Sequence, residues 1–154
     1  MDNEQNLAQK RVETRSPLAK CRSSIRVRYA DTDQMRVVYH AKFFEYFEIG
    51  RSDLIRSLGV PYSRLEEQNV YLPVVEAYAH YRRPAHYDEL VLVESSIYEL
   101  PKATLKIEYN IFNESESEKL VEGWTVHSFF NPVSGKPMRA PKFFLVLFSS
   151  NSNS

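Results

Sequence analysis

The chain has 154 residues, enough for one domain, and 43% of them are hydrophobic with 13% aromatic, so a packed core is expected and wholesale disorder is not. Its 20 Lys and Arg balance 20 Asp and Glu, which leaves no basic footprint for nucleic acid. The one cysteine, Cys21, cannot form an intrachain disulfide and fits a reducing compartment, and no run approaches the roughly 18 apolar residues of a membrane span.

The opening MDNEQNLAQKRVETRSPLAK lacks the apolar core of a signal peptide, and Asp2, Glu4 and Glu13 argue against a transit peptide. A cytoplasmic protein is the expectation. Residues 1–22 are polar and aperiodic and read as a mobile tail, as do residues 149–154, which leaves 23–148 for the domain. Ile25, Val27 and Tyr29 alternate with Arg26 and Arg28, the pattern of a strand with one buried face. The connector ADTDQMRVV follows.

From about His40 the period changes. Phe43, Phe44, Phe47, Leu54, Ile55 and Leu58 fall near one face of a helical spiral, with Lys42, Glu45, Glu48, Asp53 and Arg56 largely elsewhere. Gly59 supplies a left-handed stop and Pro61 blocks continuation. The spacing predicts a helix of roughly 18–19 residues, about 27 Å long. Four strands are then predicted, over Val70–Tyr81, Leu90–Glu99, Leu105–Ile111 and Leu120–Phe130, separated by the turn stretches RRPAHYDE, LPK and NESESEK. Asn131–Pro137 makes another turn, and the closing PKFFLVLFSS suits either a short helix or an edge strand.

One apolar helix with a mainly antiparallel sheet of about five strands implies an α+β fold, the sheet curved around the helix. One helix cannot cover both faces and both edges of such a sheet. The leftover apolar surface therefore predicts self-association.

Familiar nucleophile and phosphate motifs are missing: there is no G-x-S-x-G elbow and no P-loop, and the four glycines never form a dinucleotide loop. His40, His80, His86 and His127 show no tight ligand spacing, so no metal is expected. The connector carboxylates remain. An aspartate with an ordinary pKa near 3.9 is ionised at neutral pH, so Asp31 or Asp33 could attack, or activate a water, without a partner base. Capping and loop hydrogen bonding are the commoner uses of such a pair. The first turn of the following helix leaves N–H groups unpaired and carries partial positive charge, fitting it to polarise a carbonyl. His40 lies at or beside that start, with its backbone N–H as a natural donor.

The run RYADTDQMRVVYHAKFFEYFEIGRSDLIR resembles the opening strand, loop and helix of hotdog-fold acyl-CoA thioesterases of the 4-hydroxybenzoyl-CoA thioesterase family. It is especially similar to the branch that includes the Tol–Pal-associated bacterial thioesterase. LPVVEAYAHYRRPAHYDEL and PMRAP are similar more weakly, and the likeness runs from Ser23 to Phe148. The resemblance implies a hotdog fold, a homodimer or homotetramer with sites between subunits, no cofactor, and hydrolysis of acyl-CoA to free acid and CoA. It implies that Asp33 is nucleophile or general base, that the His40 N–H donates to the thioester carbonyl, and that Tyr39 lines the acyl pocket. Gln34, Met35 and Arg36 stand where the branch often has small residues or glycine, so the acyl group does not carry over.

CoA phosphates need cations. Arg82, Arg83, Arg139 and Lys142 flank turns, and Arg139 is taken as the candidate contact. Two other readings stay open. One is a non-catalytic acyl-CoA binding module. The other is a hotdog hydratase or dehydratase, which resembles a D-x-N-P-x-H motif with a spacing of five rather than the seven from Asp33 to His40.

Overall fold

A computed structural model describes residues 15–149; the tail expectations for residues 1–14 and 150–154 lie outside those residues. Strand β1 (Ala19–Arg26) leads through a 3-10 turn at Tyr29–Asp31 to helix α1 (Lys42–Ser57). A short helix α2 (Tyr62–Glu67) precedes β2 (Val74–Tyr81), β3 (Leu90–Ile97), β4 (Thr104–Asn113), β5 (Lys119–Asn131), β6 (Lys136–Met138) and α3 (Lys142–Ser149). The antiparallel sheet runs β1-β3-β4-β5-β2, with β6 paired to the far end of β5. This is the hotdog arrangement, a curled sheet with one long helix in its concave side.

The strand periodicity explains which side is concave. Leu105, Ile107, Tyr109 and Ile111 of β4 are buried, as are Thr125, His127 and Phe129 of β5. Their even partners point outward. Helix α1 lays Phe43, Tyr46, Phe47, Gly50, Leu54 and Ile55 against that face, chiefly over β1 and β3. Phe47 stacks on Tyr109, ring centroids 4.3 Å apart, which pins the helix to the sheet centre. Gly59 ends the helix at φ +98, a conformation that costs glycine little.

Several boundaries differ from the sequence expectation. β1 starts at Ala19, inside the segment read as tail, because the backbone ladder to β3 begins at Ala19–Ile97 although alternate side chains are charged. Helix α1 starts at Lys42, two residues past His40, because a tight turn comes first, with the Lys42 N–H bonded to the Tyr39 carbonyl at 2.8 Å. The segment before Val74 makes only a single bridge, Tyr71 to Phe130. Helix α2 and strand β6 were not expected. Six and three residues are too short to show a period, yet Leu65 of α2 is fully buried. The closing segment is helical: Phe144 and Phe148, one turn apart, are buried, and Phe144 meets Phe129 edge-on at 5.6 Å. Among the described residues no helix is long and apolar enough to cross a membrane.

Candidate active site

The connector between β1 and α1 is a tightly closed loop. Thr32 and Val38 form a bridge, the Asp33 N–H bonds the Val37 carbonyl at 2.9 Å, and the Arg36 N–H bonds the Asp33 carbonyl at 3.0 Å. Arg36 completes the reversal at φ 63. The outer side of the loop is tied down by the Val38 N–H to the Ala85 carbonyl at 2.8 Å and by a Val37–His86 bridge.

The loop gives its two aspartates opposite surroundings. Asp31 is 1% exposed; its carboxylate accepts the Arg28 N–H at 3.1 Å, an Arg28 guanidinium N–H at 3.0 Å and the Tyr46 hydroxyl at 2.9 Å. Burial works to raise its pKa, but the hydrogen bonds from the Arg28 side chain and backbone and from Tyr46, with the Arg28 charge, outweigh it and hold the carboxyl below its ordinary value. Asp33 is exposed. One carboxylate oxygen accepts the Met35 N–H at 2.8 Å, and among the described residues the carboxylate has no other hydrogen-bond partner.

His40 sits two residues before α1. Its carbonyl accepts the Tyr81 hydroxyl at 2.9 Å, while the His40 and Ala41 N–H groups have no hydrogen-bond partner among the described residues. These two donors lie in the turn before the helix, whose own first amides, at Lys42, Phe43 and Phe44, are bonded to the Tyr39, His40 and Ala41 carbonyls. Asp33 and His40 line one cavity of about 320 Å³, walled by Val38, Phe43, Tyr81, Arg82 and Arg83. Asp33 also lines a second, of about 640 Å³, with Tyr29, Gln34, Arg36 and Tyr87. Asp33 therefore borders both hollows. A solvent-reached carboxylate that lines the same cavity as an unpaired amide can attack or deprotonate while the amide holds a developing oxyanion.

Other expected residues lie apart from this cavity. Tyr39 is 46% exposed and lines neither hollow; its N–H is spent on the Asp31 carbonyl, and its ring lies 4.4 Å from that of His40. Arg139 is exposed in the link between β6 and α3 and lines neither hollow. Arg82 and Arg83 are at the cavity instead, in ion pairs with Glu122 at 2.6 Å and Glu118 at 3.6 Å. Two residues escaped sequence reasoning, Tyr81 beside His40 and Tyr46 beneath Asp31. Tyr81 read as an ordinary alternating strand residue, and Tyr46 gave no signal at all, since its partner is 15 residues away.

Residues 27–148 match the family described as the thioesterase-like superfamily. The chain is 36% identical over 123 residues to YneP of Bacillus subtilis (strain 168), provisionally named an acyl-CoA thioesterase; the match spans 80% of this chain and 88% of that one. It is 28% identical over 124 residues to the acyl-CoA thioester hydrolase YbgC of Escherichia coli O6:H1, spanning 80% of this chain and 92% of that one. Among solved structures it is similar to the DHNA-CoA thioesterase of Staphylococcus aureus, with a TM-score of 0.78, 30% identity, and 86% and 89% of the two chains covered.

Proposed function

The chain belongs to the thioesterase-like superfamily, and from that premise we propose that it hydrolyses an acyl-CoA thioester to the free carboxylic acid and CoA, with Asp33 and the amides around His40 as the reacting groups. The observation that carries the proposal is the cavity that Asp33 shares with His40. The thioester carbonyl oxygen points to the unpaired N–H groups just before the helix, and its carbon faces the carboxylate. Asp33 then acts in one of two ways. As a base, it takes a proton from water while the hydroxyl adds to the carbon; the tetrahedral oxyanion collapses, the C–S bond breaks, and the thiolate leaves and is protonated. As a nucleophile, its oxygen adds to the carbon and expels the thiolate, and water then hydrolyses the mixed anhydride.

Tyr39 is assigned to the acyl pocket and Arg139 to a CoA phosphate. Their exposed positions support this, and a second copy of the chain is proposed to bring such residues to the site. Support for a homodimer or homotetramer comes from β2, which is the last strand of the sheet and exposes Val74, Val75, Tyr78 and Tyr81. The lone cysteine fits a reducing, cytoplasmic setting.

The test is free-thiol release from short-chain, long-chain and aromatic acyl-CoA thioesters. Wild type releases thiol from at least one of them. Asp33→Asn keeps its fold and loses on the order of 10²–10⁴ in rate. Binding of every thioester without release would mark a binding module, and wild-type turnover by Asp33→Asn would remove Asp33 from the chemistry.

A further inference from the structure

The DTD stretch holds two carboxylates, and of these Asp33 and not Asp31 lines the two hollows. Asp31 is buried, ionised and met by three donors. Keeping a charge out of water costs several kcal/mol unless its partners are well placed. A neutral side chain could make ordinary loop hydrogen bonds without that cost, so the charge at this position calls for a reason.

The reason lies in what the partners are attached to. Arg28 ends the approach from β1 and is held through both its backbone N–H and its guanidinium. Tyr46 belongs to the second turn of α1, the helix that follows the unpaired amides of His40 and Ala41, and its ring packs edge-on against Phe43 at 5.7 Å. Phe43 lines the cavity. The Asp31 backbone carbonyl takes the Tyr39 N–H at 2.9 Å, immediately before His40. One residue thus grips the loop on both sides of the Thr32–Val38 bridge and binds it to the helix. Asp33 is two residues along the chain from this anchor, and His40 is one residue from the Tyr39 contact.

We propose that Asp31 and Tyr46 form a positioning clamp, which sets the distance between the Asp33 carboxylate and the amides at His40 and Ala41. The proposal rests on the hydrolase reading given above. Neither clamp residue touches substrate; both act through the groups they hold. Displacing a reacting group by about 1 Å can cost roughly 10²-fold in rate, which is the scale on which such a clamp acts. Tyr46 also has only one way to serve, because its hydroxyl is buried with Asp31 and faces no cavity lining.

Three full-length proteins test the clamp: wild type, Tyr46→Phe and Asp31→Asn. Tyr46→Phe removes one oxygen and keeps the ring packing, so it should fold and melt within a few degrees of wild type. Its kcat should fall about tenfold with KM changed less than about twofold, and Asp31→Asn should lose about 10²-fold in kcat. Backbone amide exchange at Asp33, Val38 and Tyr39 should quicken at least about tenfold in Tyr46→Phe, while that of Leu54 in the helix core stays unchanged. Unaltered exchange at those three amides in Tyr46→Phe overturns the clamp, as does a kcat loss no larger than the fraction unfolded. Absence of thiol release from wild type overturns the hydrolase reading instead, and the exchange measurement still decides whether Tyr46 holds the loop.

Discussion

His127 has no exposed surface and lies under α1 on the concave face of β5. Its Nδ1 is 3.0 Å from the Leu72 carbonyl, an acceptor only, so Nδ1 carries the proton and Nε2 accepts the Thr125 hydroxyl at 2.8 Å. Tyr109 completes the chain at 2.7 Å from Thr125. Burial first, then the charge of Arg51, push the imidazole down to about 4, against the opposing hydrogen bond to Leu72. Unfolded, the same group takes a proton near pH 6.5, so between 6.5 and 4 the unfolded chain binds the extra proton and stability falls as pH falls. Urea unfolding at pH 4.5 should give a stability about 2 kcal/mol below that at pH 7, and His127→Gln should flatten this slope. A wild-type stability equal at the two pH values would contradict the assignment. Asp31, held below its ordinary value, adds a second loss at lower pH still, because its stabilisation is present above about 3.9 and disappears as it protonates. His127 shares strand parity with buried Phe129, whereas the nearby Arg51 sits 76 residues away in the chain, where no local pattern shows it.

Helix α1 lies on the sheet through Gly50. A Cβ at that position would stand 2.3 Å from Ser95 Oγ and 2.9 Å from Val93 Cγ1, closer than atoms tolerate. Gly50→Ala should therefore cost about 1–3 kcal/mol in overpacking, although alanine favours the helix itself by about 1 kcal/mol. Gly50→Ala combined with Ser95→Gly should recover most of the loss, a coupling that thermal melts of the four proteins would reveal. The helical face was legible because Phe43, Phe47, Leu54 and Ile55 recur at helical spacing, and all four are buried. Gly50 gave no such signal, since its value lies in the width of the gap beneath it. Strand β2 carries the opposite lesson. Its alternation of Val75, Ala77, Ala79 and Tyr81 reads as a buried face, yet Val75 is 59% exposed, because alternation reports which residues share a side and not whether anything covers it.

At the scale of the molecule, β2 is where the sheet stops. Ala77 stands opposite Thr125, which is buried, and shares its face, yet Ala77 is exposed because no strand lies beyond it. Tyr78 stacks on Trp124 at 4.3 Å on the other side of the same edge. A largely uncharged strand paired on one side only is a template for another strand. Light scattering of the wild type should return a multiple of the 18.0 kDa chain mass. Ala77→Lys should shift the protein toward single chains and, if the proposed site is shared between copies, lower its thioesterase rate in parallel. Wild type that elutes as a single chain and still releases thiol would refute the shared site.

The sequence by itself determined the period and apolar face of the long helix and the alternation of strands β3, β4 and β5. These depend on neighbours along the chain, whose side-chain directions follow from local backbone geometry. Tertiary structure decided which aspartate is buried and which is exposed, which cations flank the cavity, and which apolar strand lies at the edge. Each of those depends on a contact between distant segments, such as Tyr81 with His40 across 41 residues, and on whether water or protein occupies the remaining space.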